Sequence, residues 1–402
     1  MNFLFIICII NLLGACLFYR KKKISDIVIS PSVLTNLFIL FYCILGTQLF
    51  WQGVYVYLEE DFELFIDRTF ITLGLFVAIF FLTELFTYSF IKIKKKLILP
   101  VHSLNSSSFI NIYTLTVLIS GVFLLKFPSK FLSGHFQFFF NSLIPIIGYY
   151  IIKGNKKFYL YLIIFTFLSI MAGFRFRLIL IFFPLFFFYL GEIKTKLNLL
   201  KYIILFLIFV LIIIIVGNYR TYAAGVDLTQ IDVSDFQRQF INGIFNDTST
   251  VLVTGKFLHV FDESEFSYAL LYQFKYVIEL FLPKFLIETK NQSPILGIIY
   301  DFTPSSAGAA VLGIGEYYHT GGIFGVCFFA VLFSIYFTHL YKKQINLDNN
   351  FYKFKYLCLV FWLINTYTRG YFPQNFFELF TIIFGISLVR FSEYAQKCMI
   401  IK

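Results

Sequence analysis

The stretch "AGFRFRLILIFFPLFFFYL", Ala172 to Leu190, decides the fold. Beyond its two arginines, Arg175 and Arg177, it reaches Leu190 without another charge. A segment that is apolar on every side is made for lipid or for a fully buried place. Runs of this kind recur from the first residues to the last, many near the ~20 residues that a membrane-spanning helix needs. Of the 402 residues 59% are hydrophobic and 14% charged. Soluble domains carry roughly 25% charged residues. The chain therefore reads as an all-α polytopic membrane protein.

Working outward from Ala172–Leu190, eleven apolar segments can be marked. They run near Asn2–Phe18, Val28–Trp51, Thr69–Ile91, Phe109–Leu125, Phe138–Ile152, Phe158–Ala172, Arg177–Leu190, Tyr202–Gly217, Gly321–Tyr341, Tyr356–Tyr367 and Phe376–Arg390. Cytoplasmic loops are enriched in Lys and Arg. The basic clusters Arg20–Lys23, Lys92–Lys96, Lys153–Lys157, Lys194–Lys201 and Lys342–Lys355 all fall on one side if the segments alternate as helices. The acidic run "EEDFELFID", Glu59 to Asp67, falls on the other. This predicts about 11 transmembrane helices, with the N-terminus outside and the C-terminus cytoplasmic.

A large outer-face loop between helices 8 and 9 follows from this topology. Residues 1–217 form an N-terminal bundle of about eight helices, and 321–402 about three more. Residues 218–320 between them form a periplasmic or extracellular loop, far longer than a helix connection requires. Within it "FSYALLYQFKYVIELFLPKFL", Phe266 to Leu286, has the pattern of a helix lying along the membrane surface. The loop reads as a cap on the bundle.

The net charge of +11 follows the lysines of the inner side and does not point to nucleic acid. Six cysteines, none in a CxxC pair, support neither a disulfide framework nor a zinc site. The histidines are scattered without metal-ligand spacing, and no cofactor is implied.

Arginine breaks the rule that lysine obeys. Of eight arginines, Arg20 and Arg390 are cytoplasmic, whereas Arg68, Arg175, Arg177, Arg220, Arg238 and Arg369 fall on the outer side. Insertion bias accounts for the lysines and not for these. The guanidinium is a planar fork that matches phosphate bidentately and keeps its charge. Arg175 and Arg177 also stand at a helix N-terminus, where free N–H groups and the dipole favour an anion. Two residues apart, they would point to different faces of a helix, which favours a turn before it. Arg220 and Arg369 lie at the outer ends of the eighth and tenth segments. The plain alternative for each is a helix anchor that snorkels to lipid phosphates. Arg68 follows acidic residues and Arg238 has the setting of a solvated helix face, so both rank lower.

With these features the chain resembles the bacterial O-antigen polymerases (Wzy) and related oligosaccharide repeat-unit polymerases. The likeness rests on the eleven-helix pattern, the late outer loop, the outer arginines and "YDFTPSSAGAAVLGIGEYYHTGGIFGVCFF", Tyr300 to Phe329. It implies a metal-independent glycosyltransferase of the inner membrane. Such an enzyme moves a growing glycan from undecaprenyl pyrophosphate to the terminal sugar of a new repeat unit. Arg175, Arg177, Arg220 and Arg369 would then bind the pyrophosphate, whose developing charge needs fixed cations. The acceptor hydroxyl needs a base within reach. Glu316 is the first candidate, His319 lies three residues on along the same helix face, and Asp247 and Asp301 are further candidates. Glu316 also reads as a carboxylate at a helix start. Gly321, Gly322 and Gly325 suit close helix packing. The partners implied are undecaprenyl-pyrophosphate-linked oligosaccharides, membrane lipid and a chain-length regulator protein.

The nearest rival is an O-antigen ligase-type transferase with the same donor. A flippase or transporter of lipid-linked sugars is the third reading, but such proteins commonly show paired halves with broken helices. No duplication is visible here.

Overall fold

A computed structural model describes residues 2–51, 62–92, 108–125, 134–172, 175–190, 204, 250–261, 275, 278–279, 311–347, 349–368, 370 and 372–400. Among them the elements are helices: α1 (Asn2–Phe18), α2 (Ile24–Val28), α3 (Pro31–Trp51), α4 (Phe62–Phe90), α5 (Ser108–Leu124) and α6 (Gly134–Ile152). They continue with α7 (Lys157–Met171), α8 (Arg175–Leu190), α9 (Thr250–Val260), α10 (Gly313–Leu347), α11 (Asn350–Thr368) and α12 (Phe372–Ile400). One isolated antiparallel bridge, between Val311 and Gly370, is the sole β pairing in the described residues. All-helical architecture suits an apolar chain, because a helix pairs its own backbone groups where no water can. Among the described residues four stretches are long and apolar enough to cross a membrane: Pro31–Gln48, Phe65–Phe90, Gly313–Leu347 and Gln374–Gln396. Six further apolar helices are shorter.

The chain divides into two compact units. The first takes Met1–Ile93, Asp227–Lys342 and Leu363–Asn375. Its core is stitched by polar side chains that reach backbone carbonyls. Asn11 donates to Val77 O and to Asn36 Oδ1, both at 3.1 Å. Ser334 donates to Phe80 O at 2.7 Å, joining α10 to α4. α9 lies against the first turns of α4, where the Thr69 hydroxyl donates to Val251 O at 3.0 Å. Gly255 makes that approach possible, since a Cβ there would strike the Phe65 carbonyl.

The second unit takes Lys94–Val226, Lys343–Trp362 and Phe376–Lys402. α6 is its centre. Phe140 stacks on Phe165 of α7 at 4.6 Å, and Phe138 meets Phe377 and Phe384 of α12 at 5.9 and 5.1 Å. At the other end of α6, Lys153 pairs with Glu393 at 2.5 Å, and the Tyr149 hydroxyl donates to the same carboxylate oxygen.

Ten of the eleven apolar segments coincide with helices. Tyr202–Gly217 lies outside the described residues apart from Ile204. The same is true of Phe266–Leu286 except for Lys275, Ile278 and Glu279, which are helical.

Candidate functional site

α8 begins at Arg175, so both arginines of the opening stretch are on the helix and not in a turn before it. Arginine is a good helix former, and nothing in Arg175–Arg177 interrupts the run. Arg177 is 0% exposed, one of the largest fully buried side chains in the described residues. Its guanidinium stands over the Phe140 ring, 5.0 Å from the centroid. Glu378 of α12 is a second buried ionisable side chain of the same unit, 3% exposed. Asn141, next to Phe140 in sequence, is also buried. Arg177 is therefore a buried cation and not a residue that snorkels to a surface.

Glu316 and His319 belong to the first unit. Residues 313–320 form two turns of helix, after which Gly321 (φ −166°, ψ 26°) and Gly322 (φ 55°, ψ −147°) break α10 before it resumes. Glu316 is 1% exposed and His319 is also buried. The imidazole packs 4.7 Å from the Phe261 ring and 6.3 Å from Phe257 of α9. No described residue hydrogen-bonds its Nδ1. Tyr317, between them, stacks on Phe329 at 4.6 Å and on Phe76 at 6.0 Å. Gly313 abuts the Thr366 carbonyl, and Gly370 N–H donates to Val311 O at 2.6 Å. The short helix is thus held from three sides, and a carboxylate and an imidazole one turn apart are kept from water. Such a pair can accept and return a proton.

The three glycines do different things. Gly325 packs tightly beneath the Tyr317 carbonyl, whereas Gly322 has open space around it and is needed for its positive φ. Arg68 Nη1 donates to Leu258 O at 3.1 Å, so it serves the C-terminal end of α9, where a cation is favoured. Asp247, Asp301, Arg220, Arg238 and Arg369 lie outside the described residues, as does the side chain of Arg175. Arg175, Arg177 and Arg220 fall in the second unit, and Glu316, His319, Asp247 and Arg369 in the first. Among the described residues no group of three or more His, Cys, Asp or Glu side chains gathers to hold a metal.

Two carboxylates escaped the reading of the sequence. Glu378 is one. Glu84 of α4 is the other, fully buried and accepting the Tyr19 hydroxyl and the Ser32 N–H, each at 2.7 Å. The available signal was a single acid inside an apolar run, which marks an intramembrane site by default.

Fold and site together define a protein of membrane type, helical throughout its described residues, with ionisable side chains buried in its interior. No family model matches the chain, and no curated protein or solved structure matches it.

Proposed function

We propose that this chain is a polymerase of lipid-linked oligosaccharide repeat units in the bacterial inner membrane. It transfers the growing glycan from undecaprenyl pyrophosphate to the terminal sugar of a new repeat unit at the outer face, during O-antigen, capsule or exopolysaccharide synthesis. The observation that carries this reading is Arg177, a permanent cation with no exposed surface on the first turn of an apolar helix. Charges inside a membrane are expensive and mark the paths of ligands or ions. A guanidinium in low dielectric is suited to an anion that develops charge as a glycosidic bond breaks. In this reading Arg175 and Arg177, with Arg220 and Arg369, hold the pyrophosphate leaving group. Glu316 is the first candidate to take the proton of the acceptor hydroxyl, with His319 close by on the same stretch and Asp247 as a further candidate.

The test is deletion of the gene in its host, with surface glycan resolved on a gel. A deletion strain should carry core bearing a single repeat unit. Wild type should restore the ladder of polymer. R177A and E316A, checked for membrane expression, should yield about 10²-fold less polymer, the usual scale for removing one charge-stabilising group. A strain with no surface repeats and lipid-linked repeats on the outer side would identify a ligase-type transferase. Repeats trapped on the inner side would identify a flippase, and the assignment of the arginines would fall.

A further inference from the structure

Three tyrosines gather the basic end of the first unit. The rings of Tyr19 of α1 and Tyr341 of α10 lie 5.1 and 6.1 Å from the Tyr88 ring of α4. Phe18 meets the same ring edge-on at 5.7 Å. Lys342 completes the group: its Nζ stands 4.6 Å from the Tyr88 centroid and donates to the Tyr88 carbonyl. One ring of α4 thus touches both an ammonium group of α10 and the end of α1. The basic turn Arg20–Lys23 leaves α1 at that point, closed by the Lys22 N–H on Tyr19 O at 2.7 Å. α2 follows, pinned to α10 by the Tyr341 hydroxyl, which donates to Asp26 O at 2.7 Å.

The charge at this end is one-sided. Arg20, Lys21, Lys23 and Lys92 are exposed, and Lys22 and Lys342 are half-buried. Against them stand Glu84, sealed inside with both oxygens taken by the Tyr19 hydroxyl and the Ser32 N–H, and the half-buried Asp26 of α2. The complementary partner is an anion.

What kind of anion follows from the surface that leads to Lys342. Phe324, Phe328, Val331 and Ile335 are exposed at 81%, 59%, 36% and 46%. At 3.6 residues per turn, all four lie within about 40° of Lys342 around the helix. They form one apolar strip that ends at the lysine. Val331 stands ~16 Å from Lys342 along α10, about the depth of one leaflet in a bilayer core of ~30 Å. Ile24 of α2, 80% exposed and next to Lys23, repeats the pairing of an apolar side chain with cations that suits a membrane interface. A free phosphate leaves the strip uncovered, whereas a phospholipid covers strip and charge together.

We propose that an anionic phospholipid docks here. Its headgroup phosphate sits between Lys342 and the Arg20–Lys23 turn, and an acyl chain runs along the strip from Ile335 towards Phe324. An ammonium group has three donors, so Lys342 holds the Tyr88 carbonyl and the headgroup at once. The bound lipid ties α1, α4 and α10 together at this end. The lysine rule puts that end in the cytoplasm, the side on which basic pockets between helices bind anionic headgroups. The site is independent of what Arg177 binds.

Full-length protein in detergent is melted with dioleoyl phosphatidylglycerol, with dioleoyl phosphatidylcholine, and with glycerol 1-phosphate as a headgroup without chains. Phosphatidylglycerol should raise Tm more than phosphatidylcholine does, and glycerol phosphate should not raise it. R20Q/K22Q should need about tenfold more phosphatidylglycerol for half of the rise, the scale set by two basic residues at an anionic surface. K342Q should show a loss of the same kind, and either variant decides if the other does not fold. K156Q/K157Q, which removes two exposed cations of the second unit, should behave as wild type. Equal rises from the two lipids would overturn the lipid site, as would an equal loss in K156Q/K157Q. A rise reproduced by glycerol phosphate would overturn it too, since the strip would then contribute nothing.

Discussion

Glu84 shows what a single buried residue does for this fold. Its two carboxylate oxygens take one donor each, the Tyr19 hydroxyl at the end of α1 and the Ser32 N–H at the start of α3. Pro31 occupies the first position of α3, where its missing N–H costs nothing, and Ser32 presents the next unpaired donor. An acid from another helix therefore caps α3. The rings of Tyr19, Tyr88 and Tyr341 close over it, with Tyr19 5.1 Å from Tyr88 and 5.6 Å from Tyr341. E84A strands both donors, and each buried unsatisfied group costs about 1–3 kcal/mol. Its unfolding midpoint in detergent should fall well below that of E84Q, which keeps an acceptor. Equal midpoints would show that Glu84 is not the cap. At this scale the sequence was least legible. Arg177 could be singled out because it broke the charge pattern, but Glu378, a buried acid of the same unit, lies some two hundred residues away. Only packing brings α12 beside α6.

Among the elements, α10 shows where periodicity reads well and where it stops. The apolar run begins at Gly321, and the backbone breaks at Gly321 and Gly322. What hydropathy does not register is the short helix 313–320, where Glu316, Tyr317, Tyr318 and His319 are buried beside one aliphatic residue, Ile314. α9 was hidden for a different reason. "TVLVTGKFLHV" is rich in β-branched residues and holds a glycine, all poor helix formers, and its packing on α4 sustains it. The break itself can be tested. Gly322 adopts φ 55°, ψ −147°, a region held almost only by glycine, at a cost of about 1–3 kcal/mol for other residues. Gly321 is extended, at φ −166°, which any residue adopts. G322A should therefore lower the midpoint of thermal unfolding clearly more than G321A, and should also reduce polymer output by displacing Glu316 and His319. If the two alanine variants behave alike, the break is not maintained by backbone strain.

For the molecule as a whole, the membrane reading draws on what the helices leave uncovered. Between Ile323 and Tyr336 the exposed positions of α10 are Ile323, Phe324, Phe328, Val331, Leu332, Ile335 and Tyr336, while Val326, Ala330 and Phe333 are buried. Its outer face is as apolar as its inner one, which in a helix of this length is the mark of lipid. The first unit also sorts its chemistry by end. Tyr19, Asp26, Tyr88, Tyr341 and Lys342 meet at one, where the Tyr341 hydroxyl donates to Asp26 O at 2.7 Å and Lys342 reaches the Tyr88 carbonyl. The first turns of α4, α9, the 311–319 segment and residues 366–370 meet elsewhere in the unit. The lysine rule assigns the first group to the cytoplasm and the second to the outer face. Cysteine labelling in intact cells checks this directly, with the native exposed thiols of Cys16 and Cys398 replaced by serine. K22C and N155C should react with a membrane-impermeant maleimide only after the inner membrane is opened, and E263C should react before. Early labelling of K22C would invert the topology. It would place Glu316 on the side where no flipped repeat unit is present, and with that the polymerase reading would be lost whatever Arg177 binds.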